Sequence, residues 1–496
     1  KTPLQKEFLE HYGVEVGYDK PAMRGWEPWS KNVVEMVKPC YTYDRTILKQ
    51  AANGFFRDII RDLPADWKQQ LVVLSDRAAV NGIPGVMYID GMNFNSSMGF
   101  PWNSSKRGYI HPDPDEKRPD AVDFDEEFWE RVRDIEDKYA QGGRAFPVFM
   151  GHLKDEATPL KKCQIKKTRV FTGAPSDWSV VVRKNLLSFI RLLQKNKQVF
   201  EAGPGLVCQS TEWTEMYHYL VHFGKNRIVA GDYGKFDKHM TSDFILEAYK
   251  LIARLYKEAG HSEEVLRTIM GIGTDTAFPL CNINADLIEF FGTNPSGHPL
   301  TVIVNSIVNA LYMRYVYIQL SPNHECLSFK QFVHLMTYGD DNIMGVSEQA
   351  PWFNHTAIQA ALAKIGVEYT MADKEAETVP FISIDDCQFL KRTWRFEEEL
   401  NAYLCPLDEQ SIIKSLTVWL PSRSIDEYKQ MVAVMSSACS EYFFYGREKF
   451  ERERAFLMGL ASEVPYSFYV AESTFPTWGE LVERFHRASS PEAPSE

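Results

Sequence analysis

Asp340 and Asp341 stand side by side behind Gly339, between two short apolar runs at 332–338 (FVHLMTY) and 342–346 (NIMGV). Carboxylates that close repel and raise one another's pKa unless a cation holds both ionised. A hard divalent ion such as Mg²⁺ does so, because it prefers carboxylate and phosphate oxygens. The chemistry this pair offers is therefore the binding of a hard divalent cation. A bare Gly-Asp-Asp is also what a solvated surface turn looks like, so the metal reading gains weight only where other carboxylates reach the same place.

A second carboxylate site lies in 227–237 (RIVAGDYGKFD), where a short apolar strand ends in Asp232 and Asp237 follows five residues later. A carboxylate leaving a strand end, beside a hairpin tip bearing two more, makes a metal cage; an Asp that only caps a turn has the same local sequence. A third element is 295–306 (PSGHPLTVIVNS), in which a small-residue loop opens a long apolar helix. Thr301 and Asn305, four apart, share one face of it. Polar groups on a buried face must find partners, and a sugar hydroxyl, another side chain or a water would serve.

The elements that must position these groups are legible from periodicity. Apolar runs around a Gly-first turn predict a β-hairpin over 332–347, since Gly takes the positive φ of a type II′ turn. Thr241 is expected to cap a helix over 242–259, where Phe244, Ile245, Ala248, Leu251, Ile252 and Leu255 keep the 3.6 period and Gly260 is the stop. The apolar stretch 300–320 is broken by Asn305, Asn309 and Arg314, so it reads as a buried helix rather than a membrane span, and no integral membrane segment is expected. Residues 1–110 read as irregular with short helices, the clearest at 46–62. Residues 111–140 are expected to form an acidic, solvated helix with Phe124, Phe128, Val132 and Ile135 at helical spacing.

Composition bounds the answer. A chain of 496 residues suggests roughly two to four subdomains. Its 44% hydrophobic and 13% aromatic content is that of a folded protein. The net charge of -12 argues as a total against a nucleic-acid partner, but the charge is segregated. Acid concentrates in 113–137, whereas 161–169 (KKCQIKKTR) and 183–197 each carry five basic residues and no acid. Basic residues alternating along an extended 161–169 segment would project cations at a triphosphate or a nucleic-acid backbone. The eight cysteines, at 40, 163, 208, 281, 326, 387, 405 and 439, contain no Cys-x-x-Cys pair, which suits reduced thiols in a cytosolic protein. His218 and His222, four apart, read as packing residues rather than metal ligands. The first residue is Lys1, not Met, which suggests a proteolytic product or a trimmed chain.

Taken together, these residues resemble a known series. Asp-x4-Asp at 232 and 237, Ser-Gly-x3-Thr-x3-Asn at 296–305 and Tyr-Gly-Asp-Asp at 338–341 come in the order of motifs A, B and C of RNA-dependent RNA polymerases of positive-strand RNA viruses. Ala372-Asp373-Lys374, after a helix ending near Gly366, resembles motif D, and Phe389-Leu390-Lys391-Arg392 resembles motif E. Lys162, Lys167 and Arg169 fall where motif F keeps its basic residues, and 96–101 (SSMGFP) looks like motif G. The wording of 296–301 looks closest to picorna-like viruses of the dicistrovirus or marine type.

The resemblance implies an α+β right hand of fingers, palm and thumb, with an antiparallel palm sheet flanked by helices. The expected division is fingers with some palm segments at 1–223, palm with motif A at 224–261, a fingers insertion at 262–293, palm with motifs B to E at 294–396, and thumb at 397–496. It implies template-directed RNA synthesis from ribonucleoside triphosphates, with two Mg²⁺ ions (or Mn²⁺ in their place) held by Asp232 and Asp340 and supported by Asp341. Asp237, Ser296 and Asn305 would read the ribose 2′-hydroxyl, with Gly297 and Thr301 completing the nucleotide site. Lys162, Lys167 and Arg169 would bind the triphosphate, and Lys374 would protonate the departing pyrophosphate. Ser96, Ser97, Lys391 and Arg392 would meet template and primer RNA. A small protein primer, other viral replication proteins and a membrane-associated replication complex in the host cytoplasm are implied in the same way.

Rival readings use some of the same residues. A reverse transcriptase shares paired aspartates on a hairpin, but typically excludes a 2′-hydroxyl with a bulky aromatic, where position 237 offers a carboxylate. A non-catalytic RNA-binding replication scaffold would be expected to have lost a metal carboxylate, and none is missing. An interaction protein with an incidental Gly-Asp-Asp turn does not account for the other motifs.

Overall fold

The strands around the paired aspartates are apolar on both faces, so they must be covered on both. In the computed structural model, which describes residues 1–39 and 42–490, they are. Cys40 and the end of the segment assigned to a thumb lie outside the described residues. Val333–Tyr338 pairs antiparallel with Asp341–Val346, with Tyr338 opposite Asp341, which leaves Gly339 and Asp340 as a two-residue turn. Gly339 has φ +61° and Asp340 is not among the positive-φ residues, the pattern of a Gly-first hairpin turn. Ile228–Val229 pairs with the far side of Asp341–Val346 and completes a three-stranded antiparallel sheet.

That sheet lies between two cores. Val229, Leu335 and Met344 pack into one, whereas Ile228, Met336 and Ile343 pack into the other, as the two-residue period of a strand requires. The first core contains the helix Thr301–Leu320, buried along nearly its whole length, and the helix Ser242–Glu258. Asn305, Asn309 and Arg314 are buried with it. Arg314 lies between the Phe55 and Phe329 rings, 3.1 Å from Asp58 and paired with Glu201, so its charge is matched inside the core. No described helix is long and apolar enough to cross a membrane.

The second core is built by the C-terminal helices Glu409–Thr417, Glu427–Tyr442, Arg447–Ala461 and Trp478–Ala488. Leu4 and Phe8 of the first helix, Gln5–Tyr12, belong to it too, and the Thr2 amide donates to the Thr417 carbonyl at 3.0 Å. The first dozen residues therefore pack with the C-terminal helices, although the sequence reading placed all of 1–223 among fingers and palm segments. The apolar Leu4 and Phe8 say only that something must cover them.

A four-stranded sheet makes the remaining layer, in the order Asp286–Glu289, Leu280–Ile283, Val148–Leu153, Val170–Gly173. Three local expectations are corrected. The basic stretch is not extended throughout: Leu160–Gln164 is a short helix, and the Lys167 amide turns back to the Lys162 carbonyl at 2.9 Å. The acidic helix runs only over Glu126–Ala140, because 110–124 is occupied by the hairpin Ile110–Pro112 and Val122–Phe124; within it Phe128, Val132 and Ile135 are buried as their spacing predicts, with Glu127, Glu130, Asp134 and Asp137 exposed. Thr241 takes the extended backbone of a cap, but its hydroxyl makes no cap bond.

Candidate active site

Asp232 opens the strand Asp232–Gly234, which pairs with Glu368–Thr370 so that Asp232 faces Thr370. The turn after that strand carries Lys374 to the same corner. Burial pushes the Asp232 carboxyl up, the Lys374 ammonium draws it down, and Asp340 pushes it up again. Burial likewise raises Asp340, against which Arg169 acts. Asp341 is raised to about 6, by burial first and by Asp340 and Asp232, while the Leu390 amide stabilises its charged form. The three aspartates thus lie in one electrostatic field with Lys374 and Arg169.

The helix Thr301–Leu320 sets the turn that carries two of them. Asn309 Nδ2 donates to the main-chain oxygens of Gly339 and Asp341, at 3.0 Å each, and Asn309 Oδ1 accepts from the Tyr233 hydroxyl at 3.0 Å. One turn back, Ser306 Oγ accepts from the Gly339 amide at 2.9 Å. On the other side, the Leu390 amide donates to Asp341 Oδ2 at 2.8 Å. This occupies one carboxylate oxygen of Asp341, whereas Asp232 and Asp340 are exposed. Among the described residues, no three His, Cys, Asp or Glu side chains close around a common point.

Asp237 sits deeper. Asn305 Nδ2 donates to Asp237 Oδ1 at 2.7 Å, and Asn294 Nδ2 donates to Asn305 Oδ1 at 2.7 Å. Burial raises the Asp237 carboxyl to about 6, helped by Asp340 and opposed by Asn305, Lys238 and Arg169. Ser296 is tied to the neighbouring sheet: its Oγ accepts from the Thr172 amide at 2.9 Å, and its amide donates to Thr172 Oγ1 at 3.1 Å. Only glycine fits at 297, where a Cβ would stand 1.7 Å from the Thr172 carbonyl oxygen. Thr301 does not point at Asn305's partner. Its hydroxyl donates to the Pro295 carbonyl at 2.9 Å and accepts from the His298 amide at 3.2 Å, which fixes the loop.

Of the basic residues, Arg169 is exposed and 3.4 Å from Glu156. Burial lowers Lys167, and Lys235, Lys162 and Lys374 lower it further while Glu35 acts against them. These cations share one field, which favours a polyanion. Lys391 is exposed at a left-handed turn residue, φ +60°. Arg392, expected to meet RNA, is instead committed: its guanidinium is bidentate to Glu441, at 2.8 and 3.0 Å, and donates to the Cys405 carbonyl. Ser96 and Ser97 lie in their own loop, with Ser96 Oγ and the Ser97 carbonyl both accepting from the buried Lys106 ammonium. The structure brings together Asp232, Asp237, Asp340, Asp341, Asn305, Lys167, Arg169 and Lys374, and it links neither Ser96 nor Ser97 to that group.

Sequence reasoning missed Ser306, Asn294 and Lys414, and saw Asn309 only as an interruption of an apolar run. Lys414, on Glu409–Thr417, stands over the Tyr18 ring at 4.5 Å. Burial lowers it, as do Lys391, Arg169 and Lys162, with Glu156 opposing, so it belongs to the same basic wall. A signal for Ser306 and Asn309 was present: they lie one and four residues beyond Asn305 on a helix otherwise apolar.

The sequence model of the viral RNA-dependent RNA polymerase family matches residues 11–455. The chain is 29% identical over 344 residues to the replicase polyprotein of Cricket paralysis virus, covering 66% of this chain and 19% of that one. It is 27% identical over 479 residues to the RNA1 polyprotein of Cowpea mosaic virus, covering 92% and 24%. The chain therefore spans about a fifth to a quarter of the length of these relatives. Among solved structures, the Sicinivirus 3Dpol RNA dependent RNA polymerase superposes with a TM-score of 0.73 at 18% identity, over 92% of each chain. That likeness shows the fold, a right-hand polymerase, here with its three-stranded antiparallel sheet flanked by helices. The chain belongs to the viral RNA-dependent RNA polymerase family.

Proposed function

We propose that this chain copies RNA from ribonucleoside triphosphates by nucleotidyl transfer at the corner where Asp232, Asp340 and Asp341 face one another. The observation that carries the reading is geometric: Asn342, next to Asp341, donates to the Gly231 carbonyl beside Asp232 at 2.9 Å, which joins the hairpin turn of Asp340 and Asp341 to the strand of Asp232, and Asn305 holds Asp237 at 2.7 Å. An all-oxygen set of charges raised by burial and repulsion fits hard divalent cations, so Asp232 and Asp340, supported by Asp341, would hold two Mg²⁺, or Mn²⁺ in their place. When bound, such a pair lowers the pKa of an attacking hydroxyl and stabilises entering and leaving oxygens of an in-line displacement.

The chain's own residues do the rest. Arg169 and Lys167, with Lys162 nearby, bind and orient the triphosphate through charge-assisted bonds. Asp237 offers the ribose 2′-hydroxyl an acceptor, held by Asn305, while Ser296 and Gly297 shape the loop beside it and Thr301 fixes that loop. Lys374, whose charge acts on Asp232, would give its proton to the departing pyrophosphate. Ser96, Ser97 and Lys391 are assigned to RNA, whereas Arg392 holds the 389–392 turn to the C-terminal helices through Glu441. The division into fingers, palm and thumb follows the boundaries given above. A small protein primer, viral replication partners and a membrane-associated complex in the host cytoplasm are carried by the family likeness alone.

Primer extension on an RNA template with ribonucleotides and Mg²⁺, with and without primer, tests the reading. Extension that follows the template supports it. A chain that binds RNA yet adds no nucleotide is a scaffold.

A further inference from the structure

The helix Glu27–Met36 carries no motif, yet its inner face touches both loops that the proposed nucleotide site depends on. Asn32 is 4% exposed. Its Nδ2 donates to the Thr168 carbonyl at 2.8 Å, and also to the Pro28 carbonyl of its own helix at 2.8 Å. Its Oδ1 accepts from the Lys238 ammonium. Thr168 lies between Lys167 and Arg169, and Lys238 directly follows Asp237. One buried carboxamide therefore joins the backbone of the triphosphate-binding segment to the loop that carries the sugar-reading carboxylate.

Glu35, one turn on, secures the same loop. It accepts from His239 at 2.7 Å and lies 3.0 Å from Lys235 and 3.3 Å from Lys38. Burial acts to raise its pKa, but His239, Lys235 and Lys38 hold it at about 2, so it stays ionised across the working range. The helix's last residue takes part too: Thr293 Oγ1 lies 3.0 Å from the Met36 carbonyl and 2.8 Å from the Lys238 carbonyl. The next residue, Asn294, bonds Asn305. A third attachment comes from Lys31, which donates to the Ile165 carbonyl in the basic stretch.

A buried Asn must be hydrogen-bonded somewhere, so satisfied bonds alone say little. What singles out Asn32 is that both far partners belong to nucleotide-binding loops, and to different ones. A misplacement of about 1 Å between groups that grip one ligand can cost about a hundredfold in rate. Loops hold such tolerances only when locked from behind.

We propose that Asn32 and Glu35 are positioning residues that fix the separation between the triphosphate cations Lys167 and Arg169 and the sugar reader Asp237, and so set both ribonucleotide KM and the choice of ribose over deoxyribose. This deepens the polymerase reading above and rests on it. Asn32 and Glu35 touch no nucleotide themselves; they act through the Thr168 backbone and through Lys235, Lys238 and His239.

Three variants separate this role from simple support of the fold. Asn32→Leu removes both bonds, Asn32→Asp keeps an acceptor for Lys238 but loses the donor to Thr168, and Glu35→Gln removes the charge that gathers Lys235 and His239. In single-nucleotide primer extension, Asn32→Leu is expected to raise ribonucleotide KM about tenfold and to shrink the ribo-to-deoxyribo ratio of kcat/KM, with saturating kcat within about threefold of the unmutated chain. Asn32→Asp should recover part of both, and Glu35→Gln should move them in the same direction by less. The double variant Asn32→Leu/Lys238→Met should show less than the product of its single effects, since both remove one contact. Thermal melting of Asn32→Asp and Glu35→Gln should stay near that of the unmutated chain, whereas Asn32→Leu, which leaves buried partners unpaired, should melt lower without losing kcat. Unchanged KM and ratio in an active chain overturn the positioning role alone, as do losses in kcat, KM and melting temperature that move together. Should Asn32→Leu not fold, Asn32→Asp and Glu35→Gln decide. An unmutated chain that extends no primer overturns the polymerase reading and this inference with it.

Discussion

Asn309 Nδ2 donates to the main-chain oxygen of Asp341 at 3.0 Å, from a helix face that is wholly buried. The same carboxamide reaches Gly339 and accepts from Tyr233, so one side chain ties the hairpin turn to the strand that begins at Asp232. Removing it would take a hydrogen bond from two main-chain oxygens and a buried hydroxyl, at about 0.5–1.5 kcal/mol each and more where a group is left unpaired. Asn309→Ala should therefore lower kcat by about tenfold or more at nearly unchanged nucleotide KM, because it shifts the metal carboxylates rather than the nucleotide pocket. Steady-state extension kinetics check it, and a KM effect without a kcat effect contradicts it.

Arg169 is exposed, acts electrostatically on Asp237 and Asp340, and pairs with Glu156 at 3.4 Å. Arg169→Ala should raise the apparent KM for all four ribonucleotides alike, by about tenfold, because phosphate contacts carry no base information. Titrating each nucleotide separately measures this. Impaired use of one base alone would place Arg169 elsewhere.

Asp237 and Asp341 are both raised to about 6. A carboxyl whose folded-state pKa lies above its unfolded value binds its proton more tightly when folded, so it favours the fold below that pKa and loses this as pH rises through it. In the presence of a chelator, melting temperature should accordingly gain from these two groups as pH falls from about 7.5 to about 5.5. The gain should shrink in Asp237→Asn/Asp341→Asn. Mn²⁺ affinity should run the opposite way, weakening as pH falls through about 6, because the ligand form is the carboxylate. Calorimetric titration at several pH values reads it, and an affinity flat over that window contradicts the assignment of Asp341.

Much of the site was legible because it is built from local rules. A Gly-first turn between apolar runs can hardly be other than a hairpin, and Asn305 lies one helical turn beyond Thr301 whatever the rest of the chain does. Asn305 was expected to need a partner on its buried face, with a sugar hydroxyl, a side chain or a water all open, and Asp237 is that partner at 2.7 Å. What escaped depends on contacts between distant segments. Nothing around Asn32 foretells Lys238, and nothing around Leu4 and Phe8 says that the C-terminal helices cover them. Arg392 was read as an RNA contact from its motif alone, since Glu441 lies on a helix whose docking the sequence does not encode locally. The basic stretch was misread for another reason: Lys161 to Gln164 have ordinary helix propensity, and their spacing was taken for an extended segment.

Sugar choice follows from the pairing of Asp237 with Asn305. A deoxynucleotide leaves these buried polar groups without the hydroxyl they are built to meet, at about 1–3 kcal/mol or more for a charged group. Asp237→Ala should lose far more efficiency with ribonucleotides than with deoxyribonucleotides, shrinking the ratio. Equal losses with both sugars make Asp237 structural, and an unmutated chain that prefers deoxyribonucleotides returns the reverse-transcriptase reading.

The most direct measurement compares the unmutated chain with Asp340→Asn in primer extension on an RNA template with Mg²⁺, with RNA affinity measured beside it. RNA is held mainly by basic groups away from the aspartates. The variant should therefore bind RNA almost normally and extend no primer, while the unmutated chain copies the template. Near-normal turnover by Asp340→Asn would contradict the assignment of the three facing aspartates as the centre of the chemistry.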